Sequence, residues 1–117
     1  MRVMIKAIFP VVAANKAITD GSLGDTIGSI LSDLKPEATY FGLQEGARTA
    51  FVVVNITDSS EIPRLVEPFF LAFNASVECF PVMVPEDLIA AGPDIGATVQ
   101  KYGKFTTTLV KPHVWCW

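Results

Sequence analysis

The side chains in this sequence whose type and setting suit chemistry gather around residues 61–74, the most aromatic stretch of the chain. Asn74 closes that stretch, after Phe69, Phe70 and Phe73. It reads either as a helix C-cap, since Asn tolerates the left-handed conformation, or as a hydrogen-bond donor to a ligand carbonyl or enolate at a pocket mouth. Glu67 stands beside Pro68, whose missing N–H leaves the Arg64 carbonyl without its helical partner. Polar atoms would gather there; the plain alternative for Glu67 is a solvated helix face. Phe70 and Phe73 are either core or the apolar lining of a pocket. Tyr40 is a candidate for the helix–sheet space, where its hydroxyl would meet a ligand or a backbone group. Lys6 and Glu78 are expected opposite one another on neighbouring strands. That makes them an ion pair in an interface, or an acid/base couple in a barrel cavity.

No Gly-rich phosphate loop, nucleophile elbow or Cys/His metal spacing occurs, so neither metal nor cofactor is expected. His113, the single imidazole, lies in the tail, where a surface role is expected before catalysis or haem ligation. Cys79 and Cys116 are far apart and read as free thiols of a reducing cytoplasm. The 117 residues make one small domain by length. Half of them are hydrophobic (50%) and 18% are charged, more apolar material than a monomer of this size needs. The surplus points to a surface buried against a partner. A net charge of −3 without a basic patch argues against nucleic acid. No apolar run has the length of a membrane span. The opening ten residues lack a long uncharged core and read as a strand rather than a signal peptide.

The apolar pattern marks out the elements that must hold these groups. Residues 2–9 are a strand closed by Pro10, with Val3, Ile5, Ala7 and Phe9 on one face. Arg2, Met4, Lys6 and Ile8 share the other. Residues 14–34 read as a short helix near 14–19, a turn, and a main helix striped by Leu23, Ile27, Ile30, Leu31 and Leu34. Ser22 with Asp25 approximates a capping box, and Pro36 stops the helix. Residues 38–45 and 48–56 form a hairpin about the Gly-containing turn 45–48, with Arg48 exposed beside it. The second of these strands is apolar on both faces and belongs in the middle of a sheet.

Ser60 is the expected N-cap of the aromatic helix, with Pro63 in its first turn. The stripe Ile62, Leu65, Val66, Phe69, Phe70, Phe73 recurs at helical spacing. An interior proline costs roughly 3 kcal/mol. Six buried apolar side chains at about 1.5–3 kcal/mol each outweigh that, so a helix kinked at Pro68 is expected, the alternative being two short helices with Pro68 first in the second. Residues 76–84 are a fourth strand, which Pro81 confines to an edge or a bulge. Pro85 opens a helical stretch that Gly92-Pro93 breaks, and a second helix runs through Ile95, Val99 and Tyr102 to a C-cap at Gly103. The tail, 104–117, is β-prone and stands apart from the domain 1–103.

The order β-α-β-β-α-β with an added C-terminal helix is the ferredoxin-like plan, α+β with an antiparallel sheet of order 4-1-3-2. Its helices cover one face. The other is apolar too, so a second sheet must cover it, most simply from an identical chain. This order of elements resembles the dimeric α+β barrel superfamily. The segments Ile30-Leu-Ser-Asp-Leu-Lys-Pro-Glu-Ala-Thr-Tyr-Phe41, Pro68-Phe-Phe-Leu-Ala-Phe-Asn-Ala75 and Val82-Met-Val-Pro-Glu-Asp-Leu88 resemble a small bacterial family within it. The resemblance spans 1–103 and implies a homodimer. The superfamily holds cofactor-free monooxygenases, isomerases, dehydratases and haem-related enzymes, so it implies little about chemistry. Two functions are expected to compete. One is binding or conversion of a small hydrophobic ligand in a helix–sheet pocket, without a metal. The other is a dimeric interaction or regulatory module without chemistry.

Overall fold

The computed structural model describes residues 1–103; the expected tail, with His113 and Cys116, lies outside them. Two compact units divide after Val82. The first holds a four-stranded antiparallel sheet built from β1 (Arg2–Ile8), β2 (Ala38–Gln44), β3 (Ala47–Asn55) and β4 (Ser76–Pro81). Its order, β2-β3-β1-β4, is the expected one read from the other edge, and it is compatible with a ferredoxin-like fold. The ladder continues past the ends of β1. The Phe9 N–H donates to the Arg48 carbonyl (2.9 Å), and the Ile56 N–H to that of Met1 (2.9 Å).

Alternation along the strands divides the side chains between two faces. Val3, Ile5 and Ala7 lie opposite Val54, Val52 and Ala50 of β3, and all six are buried. These residues face three helices: α1 (Val11–Thr19), α2 (Leu23–Leu34) and α3 (Ile62–Phe73). The helices contribute Ala14, Ile30, Leu34, Leu65, Phe69 and Phe73 to one apolar cluster with the sheet. Phe9 closes it, with its ring 4.9 Å from Phe73 in a T-shaped arrangement and 6.3 Å from Phe69. Edge-to-face pairs of this kind add to the area term.

Several local devices differ from expectation, each for an identifiable reason. Ser22 makes no side-chain cap; its N–H instead donates to the Asp20 carboxylate (2.9 Å), which closes the turn through Gly21 (φ +82°). The β2–β3 turn uses Glu45 and Gly46, both with positive φ, which a two-residue hairpin loop needs. Ser60 does not cap the aromatic helix. Asp58 caps a 3-10 turn, Ser59–Glu61, by accepting from the Ser60 N–H, and α3 continues from it. Glu61 folds back to accept from the N–H groups of Thr57 (2.7 Å) and Asp58 (3.0 Å). Helix α3 runs through Pro68 as one element. The fourth strand is shorter than expected and ends at Pro81, whose ring carries no ladder donor.

The second unit begins at Met83. It holds α4 (Pro85–Ala90) and α5 (Gly92–Tyr102). The Asp87 carboxylate accepts from the Val84 N–H (3.0 Å) at the start of α4. Gly103 is the C-cap of α5, as expected, at φ −86°, with its N–H donating to the Val99 carbonyl (2.7 Å).

Two outcomes test this account of the core and the α3 cap. Phe69→Ala should destabilise by about 3–5 kcal/mol in urea unfolding. Leu71→Ala, on the same helix but 82% exposed, should stay within about 0.5 kcal/mol. The Arg64 guanidinium (2.7 Å), followed by the two N–H groups, holds the Glu61 carboxyl down to about 2. A folded-state value below the unfolded one means that the cap stabilises above the ordinary carboxylate range and fades as pH falls through the folded value. Thermal melts should therefore show Glu61→Gln less stable than wild type at neutral pH, with the gap closing near pH 2.

Candidate functional site

An apolar concavity of the first unit lies where α2 meets the β2–β3 hairpin. It is a groove of about 330 Å³, lined by Phe9, Leu23, Ile27, Phe41, Leu43 and Arg48, with Gly42 and Thr49 in the ladder between them. Strand periodicity explains its walls. Phe41 lies opposite Ala50 and Leu43 opposite Arg48, so both apolar side chains share the helix-facing parity of β3. They belong to an edge strand, and the helices do not reach far enough to cover them. Phe41 stays 60% exposed and Leu43 74%, whereas Phe9 and Thr49 beneath are buried.

Arg48 is the one charged residue of this lining. It was expected to be exposed beside the turn. It is instead half-buried, because it falls on the parity of Ala50, Val52 and Val54. Its backbone sits between Leu43 on one side and Phe9 on the other. Its Nη1 donates to the Asn15 Oδ1 of α1 (3.0 Å). The signal for this residue was present in the sequence: an arginine in register with three buried aliphatic positions.

None of the sequence-predicted candidates lines this groove; Phe73 and Asn74 share another concavity, and Tyr40, Glu67 and Phe70 lie apart from it. Tyr40 is 65% exposed on the face away from α1–α3, opposite Phe51, because it alternates with Phe41; it does not reach the helix–sheet space. Phe70 is 38% exposed and Glu67 is exposed, both on the outer side of α3. Phe73 belongs to the core. Asn74 takes the left-handed conformation (φ 54°, ψ 33°), and its N–H donates to the Phe70 carbonyl (3.0 Å), the geometry of a C-cap.

Phe73 and Asn74 do border a second concavity of about 320 Å³, between the C-terminal ends of α1 and α3, with Lys16, Asp20 and Ser22. Hydrogen bonds from Ser22 hold the Asp20 carboxyl below its ordinary value. This cleft is polar, and Asp20 already spends an oxygen on its own turn.

Lys6 and Glu78 are direct neighbours across β1 and β4, on the sheet face away from the three helices, as the parity requires. Ion pairs within the first unit join Arg2 to Glu37 (2.9 Å) and Arg64 to Glu61 (2.7 Å), not Lys6 to Glu78. The same face carries Met4, Ile8, Phe51, Val53, Tyr40 and Phe80 in register. Cys79 points the opposite way, packs at the border of the core, and has its thiol pushed up by burial. Among the described residues, no group of three or more His, Cys, Asp or Glu side chains is placed to hold a metal ion. No helix there is long and apolar enough to cross a membrane. No protein-family model and no curated protein matches the chain.

The backbone of Asn74 offers a direct test of its role. A left-handed position penalises a Cβ by roughly 1–2 kcal/mol, and Gly avoids the penalty. Asn74→Gly should leave stability within a few tenths of a kcal/mol, and Asn74→Ala should lose about 1 kcal/mol in denaturant titrations.

Proposed function

We propose that this chain is a homodimeric α+β barrel protein that binds a small apolar ligand, without a metal, in the groove between α2 and the β2–β3 hairpin. The observation that carries the reading is the groove itself. Its volume of about 330 Å³ lies at the lower end of small-molecule sites, roughly 300–1,000 Å³, and its exposed walls are apolar. The reading is one of binding rather than turnover. Arg48, the charged side chain among the lining residues, carries N–H donors and no acceptor, so it offers no general base.

The dimer is supported by the sheet. The face away from α1–α3 is mixed, with Met4, Ile8, Phe51 and Val53 beside Lys6 and Glu78, and it leaves Tyr40 65% and Phe80 39% exposed. A second copy of that face covers both sides at once, with Lys6 and Glu78 as polar members of the interface. The strand order and the three helices on one face are compatible with a ferredoxin-like fold, and the place in the dimeric α+β barrel superfamily and its small bacterial family rests on the resemblance of segments 30–41, 68–75 and 82–88. A reducing cytoplasm suits the unpaired Cys79. The alternative, an interaction module without a ligand, would use the same sheet face and leave the groove empty.

Sedimentation at micromolar concentration should give a dimer. Phe80→Glu, on the edge strand β4, should shift it to monomer with an unchanged circular dichroism spectrum, and a wild-type monomer would contradict the assembly. Nile red, a neutral apolar dye, should bind the wild type and bind Leu43→Gln severalfold more weakly. Equal binding by both would remove the groove from the account.

A further inference from the structure

We infer that β2, one edge of the sheet, is a pairing strand for a second copy of itself, joined antiparallel about a two-fold axis at Phe41. The edge is open whether or not the groove holds a ligand. In an antiparallel ladder the N–H and C=O of one residue point to the same neighbouring strand, and successive residues alternate. The Arg48 carbonyl accepts from Phe9 and the Ile56 N–H donates to Met1, so the even-numbered residues of β3 face β1. The odd-numbered ones face β2, and the Glu37 N–H accordingly donates to the Val53 carbonyl (2.8 Å). In this register Ala38, Tyr40, Gly42 and Gln44 are the residues of β2 that bond to β3. The N–H and C=O groups of Thr39, Phe41 and Leu43 therefore point away from the sheet, and no backbone group of the described residues meets them. The two edges are unlike. On β4, the Val82 N–H donates to the Arg2 carbonyl (3.2 Å), so Pro81 is turned outward and removes a donor, and Glu78 adds a charge. Strand β2 has no such guard: it contains no proline and no charged side chain, and Tyr40, Phe41 and Leu43 are exposed.

The occupant follows from the strand itself. Because β2 is neutral, a second copy meets no repulsion along it, and a charged segment finds no counter-charge. Glu37, just before the strand, is already bonded to Arg2. A two-fold at Phe41 sets Phe41 opposite Phe41 of the second copy, and Thr39 opposite its Leu43. These are the three positions with open backbone groups, so none is left unpaired. On the sheet face away from α1–α3, the same register lays Tyr40 over Gly42 of the second copy, an aromatic ring on the one residue of the strand without a side chain. On the helix-facing side, Phe41 of the second copy comes beside Phe41, so the partner adds an outer wall to the groove that α2 leaves open. A pair of seven-residue strands buries less than the roughly 800 Å² per partner of a standard interface. The pairing is therefore weaker than the proposed face-to-face dimer and forms at higher concentration.

Sedimentation equilibrium from about 10 μM to about 1 mM should show the mass of the wild type doubling as concentration rises. Phe80→Glu, altered on the other edge strand, should double from its own lower mass, which separates this contact from the dimer face. Thr39→Pro removes one outward N–H and none directed at β3, and Leu43→Lys blunts the edge without a proline. Each should weaken the doubling roughly tenfold or more with an unchanged circular dichroism spectrum. Phe41→Lys and Phe41→Glu each set like charges opposite one another at the two-fold, so neither should double alone, and their equimolar mixture should. A mass independent of concentration overturns the second copy as occupant. Doubling that persists unchanged in both Thr39→Pro and Leu43→Lys overturns the assignment to the β2 edge. A mixture that fails to double, from Phe41 variants that keep the wild-type spectrum, overturns the two-fold at Phe41.

Discussion

Pairing of β1 with β3 is the interaction on which the rest of the first unit depends. Ile5 faces Val52 across it, and both are sealed from solvent at 0% exposure. Each of these strands has a further antiparallel neighbour, β4 beside β1 and β2 beside β3, so their backbone groups are satisfied on both sides. Their helix-facing side chains then require an apolar cover. α1, α2 and α3 supply it, and Phe9, Phe69 and Phe73 join the same cluster. Pro68 fits within this demand. Its lost hydrogen bond is a local cost of roughly 3 kcal/mol, and the burial of Leu65, Phe69 and Phe73 at about 1.5–3 kcal/mol each exceeds it, so α3 remains one helix.

The groove is a consequence of where that cover stops. Ala50 of β3 is 1% exposed, and its partner Phe41 one strand outward is 60% exposed. Three helices seal the inner strands and leave the helix-facing side of the edge strand in water. Full burial of a Leu or Phe side chain is worth about 1.5–3 kcal/mol, so Phe41 and Leu43 together hold a binding energy that folding does not use. Arg48 sits at the foot of this step. Its position is set by the ladder and not by a salt bridge: alternation from Ala50 and Val52 brings it to the helix side. An edge strand with exposed apolar residues is otherwise an aggregation hazard. A ligand filling the groove, as proposed, would remove part of that hazard.

How much of this was legible in the sequence depended on the kind of signal. Period-two alternation in β1 and β3 placed Val3, Ile5, Ala7 and Phe9 against the helices, and the same alternation put Lys6 beside Glu78 on the other face. The strand order followed from crossover handedness. Caps were less legible. Ser22 and Ser60 were plausible by type, yet Asp20 and Asp58 hold the turns, because a carboxylate two residues before an N–H closes an Asx turn directly. The aromatic stretch does not line the groove. Phe69 and Phe73 are spent on the core, and Phe70 faces outward. The sequence marks which side chains are apolar, not where helices fall short of an edge strand. That shortfall is a property of packing, and it is what makes the groove.

The two surfaces invoked for function are carried by the same hairpin and are physically separable. On β2, Phe41 and Leu43 face the groove, and Tyr40, of the opposite parity, faces the other way. On β3, Arg48 faces the groove and Phe51 the opposite side. A change at Tyr40 or Phe80 therefore alters the proposed dimer face without entering the groove, and a change at Leu43 or Arg48 does the reverse. Additivity between the two sets is expected wherever the backbone of the hairpin is undisturbed, since groups without shared partners contribute independently. Loss of ligand binding on dissociation of the dimer would then have to pass through the strands themselves, whose ladder is the part of the structure both surfaces share.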